Sequence, residues 1–290
     1  MRIIFCLVVG CLLCWTSNAN VSIPASSSIE TLPPQATDLQ SSQEDNLIAI
    51  KDLQAKNILK HTVAKEANLA SVLNLRLDNA QISTIEGFGV FKNLNHLSLS
   101  GNFINNIIPL TGLSQLKTLD LSKNQIVAPS GINLLERLES LDLSHNQLKY
   151  AFCCLFVSLH HLKLNNNNIQ QLIFINNFNK LLEEVDVSYN PIKNITIKAP
   201  LPSLKKLNAS GTFITQVDDL NRLQVLEELN LKNCIHLRSI AVLFYRVGDN
   251  WQCKLKQLKK LSVSEEFLDN NSKAILANIR TQKDSKLTIQ

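Results

Sequence analysis

Large aliphatic residues recur along this chain in a fixed frame that joins alternating apolar positions to a polar turn. The clearest copy reads Leu94-x-x-Leu97-x-Leu99-x-x-Asn102-x-Ile104, with asparagine at the ninth position of the frame. Most starts lie 22 residues apart, and a fixed period of this length predicts a solenoid of stacked coils. The nine starts are Val72, Leu94, Leu116, Leu138, Leu159, Leu182, Leu204, Leu226 and Leu258.

Frame positions 3 to 7 are predicted to form one short strand in each coil. Because side chains alternate along a strand, positions 4 and 6 point inward, as Leu97 and Leu99 do. The amide at position 9 is expected to satisfy backbone groups of neighbouring coils that would otherwise be buried without partners. This structural ladder is predicted to comprise Asn102, Asn124, Asn146, Asn167 and Asn190.

The phrase and its spacing resemble the leucine-rich-repeat family over residues 72–268. The resemblance implies an α/β solenoid, a leucine-rich-repeat horseshoe with a concave parallel β-sheet and convex turns, 3₁₀ turns and short helices. The repeat length is similar to that of compact extracellular and regulatory repeats. The layout also resembles secreted leucine-rich-repeat proteins of animals, including insect leucine-rich immune-type proteins, which implies recognition of a protein or glycan, in innate immunity among other settings.

The first residues predict export from the cell. Arg2 precedes an apolar run from Ile3 to Trp15, and the small residues Ser17 and Ala19 fit a cleavage site after Ala19. A membrane-spanning helix needs about 20 apolar residues, more than this run provides. We therefore expect a signal peptide at residues 1–19 and a secreted, extracellular protein without a membrane span.

The remaining segments are predicted from composition and from the frame. Residues 20–45 are rich in Ser, Pro and Gln and are expected to form a disordered leader. Residues 46–71 contain a degenerate copy of the frame and are interpreted as an N-terminal capping coil. Residues 269–290 are interpreted as a C-terminal cap and tail, with a short helix through Lys273–Arg280.

Charge and motifs exclude several classes of function. The 29 basic and 24 acidic side chains are mixed along the chain and only 6% of the residues are aromatic, so we expect no nucleic-acid partner. The sequence lacks the nucleophile-elbow, zinc-protease, phosphate-loop and dinucleotide motifs. We therefore expect no enzyme, no cofactor and no metal site.

Positions 3, 5 and 7 are expected to project from the open face of the sheet. Asp120 and Asp142 are neighbours at position 5, and Lys123, His145 and Lys163 are predicted to lie close by. These five residues form the candidate ligand-binding patch. The alternative interpretation is that Asp120 and Asp142 are ordinary surface charges without a ligand, half of which Lys163 neutralises.

A second charge pattern alternates in sign at position 3, through Glu184, Lys206, Glu228 and Lys260. The same alternation of acidic and basic residues occurs at position 2. The pattern indicates either a recognition stripe or a cross-strand ladder of ion pairs, and we favour the ion-pair ladder.

Four sequons for N-glycosylation occur in the chain. Asn20 would be the N-terminus after cleavage and is a doubtful acceptor, whereas Asn194, Asn208 and Asn270 are candidates. A glycan on Asn208, at position 5, would direct a protein ligand toward the N-terminal half of the open face. The alternative is that Asn208 stays unmodified within its strand.

Four cysteines remain after the predicted signal peptide. Cys234 and Cys253 are disulfide candidates because the long last coil can fold back; the alternative for Cys234 is a buried thiol in the ladder. Cys153 and Cys154 are four coils from Cys234, too far to bridge it, and are candidates for an interchain bond to a second copy or a partner.

The sequence therefore favours a secreted leucine-rich-repeat protein that binds a protein ligand. Two other interpretations stay open. The repeats are also similar to those of intracellular phosphatase-regulatory scaffolds, and a structural component of the extracellular matrix is the third.

Overall fold

A computed structural model describes residues 69–150, 157–174, 179–282 and 285–290, which lie within one compact unit of residues 36–290. The predicted signal peptide and leader lie outside the described residues, as does the capping coil before Leu69. Cys153, Cys154 and Asn20 also lie outside them.

The described chain forms a solenoid around a ten-stranded parallel sheet. Each of the nine predicted starts is followed by one strand of this sheet, and the strands pair in frame, so that Leu97 lies opposite Leu119 and Leu119 opposite Leu141. The strands of the main sheet, in order, are β1 (Asn74–Arg76), β2 (His96–Ser98), β3 (Thr118–Asp120), β4 (Ser140–Asp142), β5 (His161–Lys163), β7 (Glu184–Asp186), β9 (Lys206–Asn208), β10 (Glu228–Leu231), β13 (Lys260–Val263) and β14 (Thr288–Ile289).

Most strands are shorter than predicted and cover only frame positions 3 to 5. Hydrogen bonds between coils nevertheless continue beyond the strands. The Leu99 N–H donates to the Asp120 carbonyl at 2.8 Å, and the Gly101 N–H donates to the Ser122 carbonyl at 2.9 Å. Position 8 is left-handed in every coil from the one starting at Val72 to the one starting at Leu226, and the chain turns away from the sheet there. The residues at position 8 are Asn79, Gly101, Lys123, His145, Asn166, Tyr189, Gly211 and Asn233.

The core consists of aliphatic columns that run through the stack. Leu97 and Leu99, at positions 4 and 6, are 1% and 0% exposed, and the equivalent residues of the other coils are buried as well. Each coil thus packs its apolar side chains on those of its two neighbours, which is the source of cooperativity in a solenoid.

The side of each coil opposite the sheet holds 3₁₀ turns and, at one place, a second sheet. The 3₁₀ turns are Leu69–Ser71, Phe88–Val90, Ile108–Leu110, Ile132–Leu134, Asp218–Arg222, Ala241–Leu243 and Glu265–Phe267. The sequence predicted only turns and short helices here, but β6 (Gln171–Phe174) and β8 (Asn194–Ile197) pair in parallel. Both segments alternate exposed and buried residues, which is the pattern of a half-buried strand.

The C-terminal end is closed by three elements. The long coil between Leu226 and Leu258 forms an antiparallel hairpin of β11 (Phe244–Val247) and β12 (Asn250–Cys253). Helix α1 spans Asn270–Thr281, longer at both ends than predicted, and the Ser272 N–H donates to the N-cap carboxylate of Asp269 at 2.7 Å. The last strand, β14, adds to β13 and was not predicted, because it is only two residues long.

Within the described ranges, the structure contains no helix that is both long and apolar enough to cross a membrane.

Candidate functional site

The open face of the main sheet is formed by frame positions 3 and 5. Position 7 was expected to project there as well, but Ser122, Ser144, Ser188 and Ser210 are buried. The reason is a local hydrogen bond that strand alternation does not reveal. The Asp120 carboxylate accepts the Ser122 N–H at 2.9 Å and thereby folds over position 7.

This bond repeats along the stack, and a sequence signal accompanies it. Position 5 is Asp or Asn and position 7 is Ser in four coils, at Asp120-Leu-Ser122, Asp142-Leu-Ser144, Asp186-Val-Ser188 and Asn208-Ala-Ser210. In the last three, the position-5 side chain accepts both the backbone N–H and the hydroxyl of the serine. One oxygen of each side chain is therefore committed to the fold. The second oxygen of Asp142 pairs with Lys163 and that of Asp186 accepts the Asn208 amide, which leaves the second oxygen of Asp120 for a ligand.

Three of the five predicted ligand-binding residues come together on this face. Asp120 and Asp142 lie opposite each other in register, and Lys163 lies opposite Asp142. The Lys163 Nζ is 3.4 Å from Asp142 Oδ2, whereas Asp120 forms no ion pair with any described residue. With Arg76 and His96, these side chains line an open depression of about 420 Å³.

The other two predicted residues, Lys123 and His145, do not line this depression. Lys123 and His145 occupy position 8, where φ is 55° and 53°, and they follow the strand in the turn that leaves the sheet. His145 Nε2 is 3.4 Å from Asn166 Nδ2 of the next coil. The left-handed backbone carries these side chains to the edge of the solenoid, away from Asp120 and Asp142.

The alternating charges at positions 2 and 3 form ion pairs between adjacent coils. The Lys205 Nζ is 3.0 Å from Glu183 Oε2, and the Lys206 Nζ is 2.7 Å from Glu184 Oε1. Hydrogen bonds from these lysines hold the pKa of both carboxyl groups below its usual value. These residues therefore form the predicted ladder of ion pairs, and their charges are largely neutralised within the protein.

The ladder leaves one gap on the open face. Lys259 pairs with Glu227 at 2.8 Å, but Glu228 and Lys260, which face each other in register at position 3, form no ion pair with the described residues. They line a second depression of about 310 Å³ together with His161. Unpaired charge therefore occurs near both ends of the open face.

The asparagines at position 9 form a continuous buried ladder. Asn102 Oδ1 accepts the N–H groups of Ala80 and Ile82, both at 3.0 Å. Its Nδ2 donates to the carbonyls of Leu77 and Leu99 at 2.8 and 2.9 Å. Asn124, Asn146, Asn167 and Asn190 are buried in the same way and also bond to carbonyls of two coils. The ladder thus fixes the stacking of the coils that carry the open face.

Two coils replace asparagine in this ladder. The Thr212 hydroxyl donates to the Ala209 carbonyl at 2.7 Å, and the Cys234 thiol donates to the same carbonyl at 3.3 Å. The disulfide predicted between Cys234 and Cys253 is not formed, and both thiols are free. The reason is that the Cys234 side chain is buried in the ladder, which was the alternative interpretation of this residue, while Cys253 lies on the hairpin. Burial raises the pKa of both thiols.

We expect Cys234→Asn to stabilise the protein by about 1 kcal/mol, the usual net value of one added hydrogen bond. The new amide would reach the carbonyls that asparagine bonds in the other coils, which the thiol reaches only at long range. Urea unfolding measures the change. Cys234→Ala is the matched variant and should lower stability by about 1 kcal/mol because it removes the thiol bond. A destabilised Cys234→Asn variant would contradict this interpretation of the ladder.

The three candidate glycosylation sites lie in different settings. Asn194 is exposed at the start of β8, and Asn270 is exposed at the start of α1. Asn208 is part-buried, and its Nδ2 donates to Asp186 Oδ2 at 3.0 Å. Because the Asn208 side chain is part-buried and already bonded, whereas Asn194 and Asn270 are exposed, the structure favours Asn194 and Asn270 as acceptors.

His160 and His161 do not combine into a metal site. His161 Nδ1 is 3.6 Å from Glu184 Oε2. Across residues 69–290, apart from the three short gaps, no group of three or more histidine, cysteine or acidic side chains is arranged to hold a metal ion.

Comparison with known proteins supports the fold. A family model described as Leucine Rich Repeat matches residues 137–156. Internalin C2 from Listeria monocytogenes is similar over 76% of this chain and 96% of its own, with 23% identity and a TM-score of 0.62. The leucine-rich-repeat domain of APL1B is similar over 81% of this chain and 70% of its own, with 19% identity and a TM-score of 0.57.

A third solved structure, the LRIM1/APL1C complex, is similar over 66% of this chain and 39% of the other chain, with 20% identity and a TM-score of 0.52. No curated protein matches the sequence. The repeat frame, the parallel sheet and these likenesses support a leucine-rich-repeat fold. At these sequence identities, the solved structures support the fold alone.

Proposed function

We propose that this chain is a secreted binding protein that recognises a protein ligand through the open face of its parallel sheet, and that it has no catalytic activity. The observation that carries the proposal is the unpaired charge on that face. Asp120 near one end and Glu228 and Lys260 near the other form no ion pair with described residues, whereas Asp142 and Glu184 between them pair with lysines and Asp186 accepts the Asn208 amide.

The charges on the open face differ in whether they are free to bind a partner. An ion pair within the protein must be broken, or bound as a neutral unit, before either group can pair with a ligand. A charge without an internal partner is available for complementary pairing, which gives an interface its specificity and its association rate. Asp120 keeps one oxygen free of the Ser122 bond and is therefore the first contact we propose.

Export is proposed from the N-terminal sequence, with the apolar run before Ala19 as its support. Expression of the full chain in a secretory host tests it. We expect the protein in the medium with Asn20 as its first residue. Retention in the cytosol with Met1 intact would contradict export and would favour the intracellular regulatory scaffold.

The binding site is tested by charge reversal. We expect Asp120→Lys combined with Glu228→Lys to reduce capture of proteins from extracellular fluid at least about tenfold, because complementary charges become repulsive. The matched control is Glu136→Lys with Asp218→Lys, which makes the same change in charge at two exposed residues outside the open face. Equal capture by both variants would exclude the open face as the binding surface.

A further inference from the structure

One edge of the solenoid contains no acidic residue in any of its first eight coils. This edge consists of frame positions 8 to 13, and we refer to it as the acid-free edge. Its residues are 79–84, 101–106, 123–128, 145–150, 166–171, 189–194, 211–216 and 233–238. The chain average of 24 acidic residues in 290 would put about four in these 48 positions.

The backbone conformation does not explain this exclusion. Position 8 is left-handed, and aspartate is one of the few residues that enter this region readily, together with asparagine and histidine. Position 8 holds Asn79, His145, Asn166 and Asn233, but never aspartate. Exposed positions 10 and 12 accept polar residues of many kinds and likewise hold no acid. The missing negative charge is therefore a property of the surface and not of the fold.

The basic residues of the acid-free edge are unpaired. Lys123, Lys149 and Lys193 are exposed and form no ion pair with the described residues. They contrast with Lys205 and Lys206 of the open face, which pair with glutamates of the adjacent coil. The edge thus carries a net positive charge that nothing in the described chain neutralises.

Aromatic side chains on the same edge are exposed but held in place. Tyr189 is 55% exposed, and its ring lies over Gly211 of the next coil, where an added Cβ would come within 2.7 Å of Tyr189 Cδ1. Phe213 is 41% exposed and packs edge-to-face on His236, with ring centroids 5.4 Å apart. Phe103, at position 10 of an earlier coil, is 52% exposed. Fixed, exposed aromatic rings are the typical anchors of protein interfaces.

The edge is also ordered along the stack. In four consecutive coils the backbone N–H at position 10 donates to the carbonyl at position 11 of the preceding coil, for example from Phe103 to Ile82 at 2.8 Å and from Gln125 to Ile104 at 2.9 Å. Side chains at position 10 of these coils are thereby held about one strand spacing apart, roughly 4.8 Å. A surface ordered in advance loses little freedom when a partner binds.

We propose that the acid-free edge binds an acidic polypeptide segment that also carries aromatic or aliphatic side chains. The lysines supply the charge complement, and the rings of Phe103, Tyr189 and Phe213 supply apolar contacts. Phenylalanine anchors favour a polypeptide over a sulfated polysaccharide, which would match the charge but offer little to an apolar ring. This surface is distinct from the open face and goes beyond the function proposed for that face.

The test uses the full-length secreted protein and an immobilised random copolymer of glutamate and tyrosine as the probe. We expect binding that weakens with added salt, because exposed charges are screened. Lys123→Glu, Lys149→Glu and Lys193→Glu combined should weaken it at least about tenfold. The matched control is Lys92→Glu, Lys180→Glu and Lys198→Glu, which reverses three exposed charges outside the edge and should change affinity by less than about twofold.

Two further variants separate the contributions. Tyr189→Ser with Phe213→Ser should weaken binding to the copolymer while leaving the weaker binding to polyglutamate unchanged. Asp120→Lys with Glu228→Lys changes the open face alone and should leave copolymer binding at least as strong as in the wild type. This result would separate binding at the acid-free edge from binding at the open face, so either proposal can fail without the other. Equal loss in the control triple variant, or binding to heparin but not to the copolymer, would overturn the proposal.

Discussion

Replacement of Asn146 by alanine is expected to destabilise the protein by about 1–3 kcal/mol, the usual cost of a buried hydrogen-bonding group left without its partner. The main loss is the acceptor of the Ile126 N–H, which Asn146 Oδ1 binds at 2.9 Å. The carbonyls of Leu121 and Leu143 are affected less, because Asn124 and Asn167 each donate to one of them as well.

Urea unfolding, monitored by far-ultraviolet circular dichroism, measures the effect. Gln147→Ala is the control, because it removes an amide of nearly the same chemistry from the next residue, which is exposed. Its stability should stay within about 0.5 kcal/mol of the wild type. If the two variants unfold at the same urea concentration, the ladder contributes little and the stacking of the coils has another origin.

Replacement of Leu141 by alanine is expected to cost about 2–5 kcal/mol, as is usual for a buried leucine that is truncated in a packed core. Leu141 is 1% exposed at the centre of β4 and lies between Leu119 and Leu162 in the position-4 column. The cavity would open between three coils, so we expect the two halves of the stack to lose cooperativity as well. A broadened urea transition with a lower slope would show this loss.

The control for that variant is Leu141→Met, which nearly conserves volume and should cost less than about 1.5 kcal/mol. Stability of Leu141→Ala close to that of the wild type would mean that the column is not packed as the structure has it.

The main sheet could be predicted from the sequence because the determinants lie at fixed positions of one frame. Positions 4 and 6 are aliphatic and position 9 is asparagine in coil after coil, so each start predicts one strand and one buried amide. The elements that were missed lack such repetition. β6 and β8 occur in only two coils, and β14 is two residues long and lies outside the frame.

The candidate site was predicted only in part, for a conformational reason. Asp120, Asp142 and Lys163 follow from strand alternation, and the structure brings them together. Lys123 and His145 follow the strand at position 8, three residues after Asp120 and Asp142, and do not line the same depression. A left-handed residue at position 8 ends that alternation, and residues as different as lysine, histidine and tyrosine occupy it, so composition gave no signal.

The glutamates and lysines at positions 2 and 3 illustrate the opposite case. Their alternation in sign predicts pairing across adjacent strands, and pairs such as Lys206 with Glu184 form as expected. The gap at Glu228 and Lys260 lies at the last step of this alternation, where the long insertion between Leu226 and Leu258 separates the two strands in sequence.

Zero-length carboxyl-to-amine cross-linking in native extracellular fluid tests most directly whether the open face binds a protein ligand. Mass spectrometry would locate the joined residues and would identify the partner from its own peptides. We predict cross-links from Asp120 and Glu228 to lysines of a foreign protein, whereas links through Lys123, Lys149 or Lys193 would report the acid-free edge instead. Cross-links confined to Glu136 and Asp218, outside both surfaces, would contradict the account.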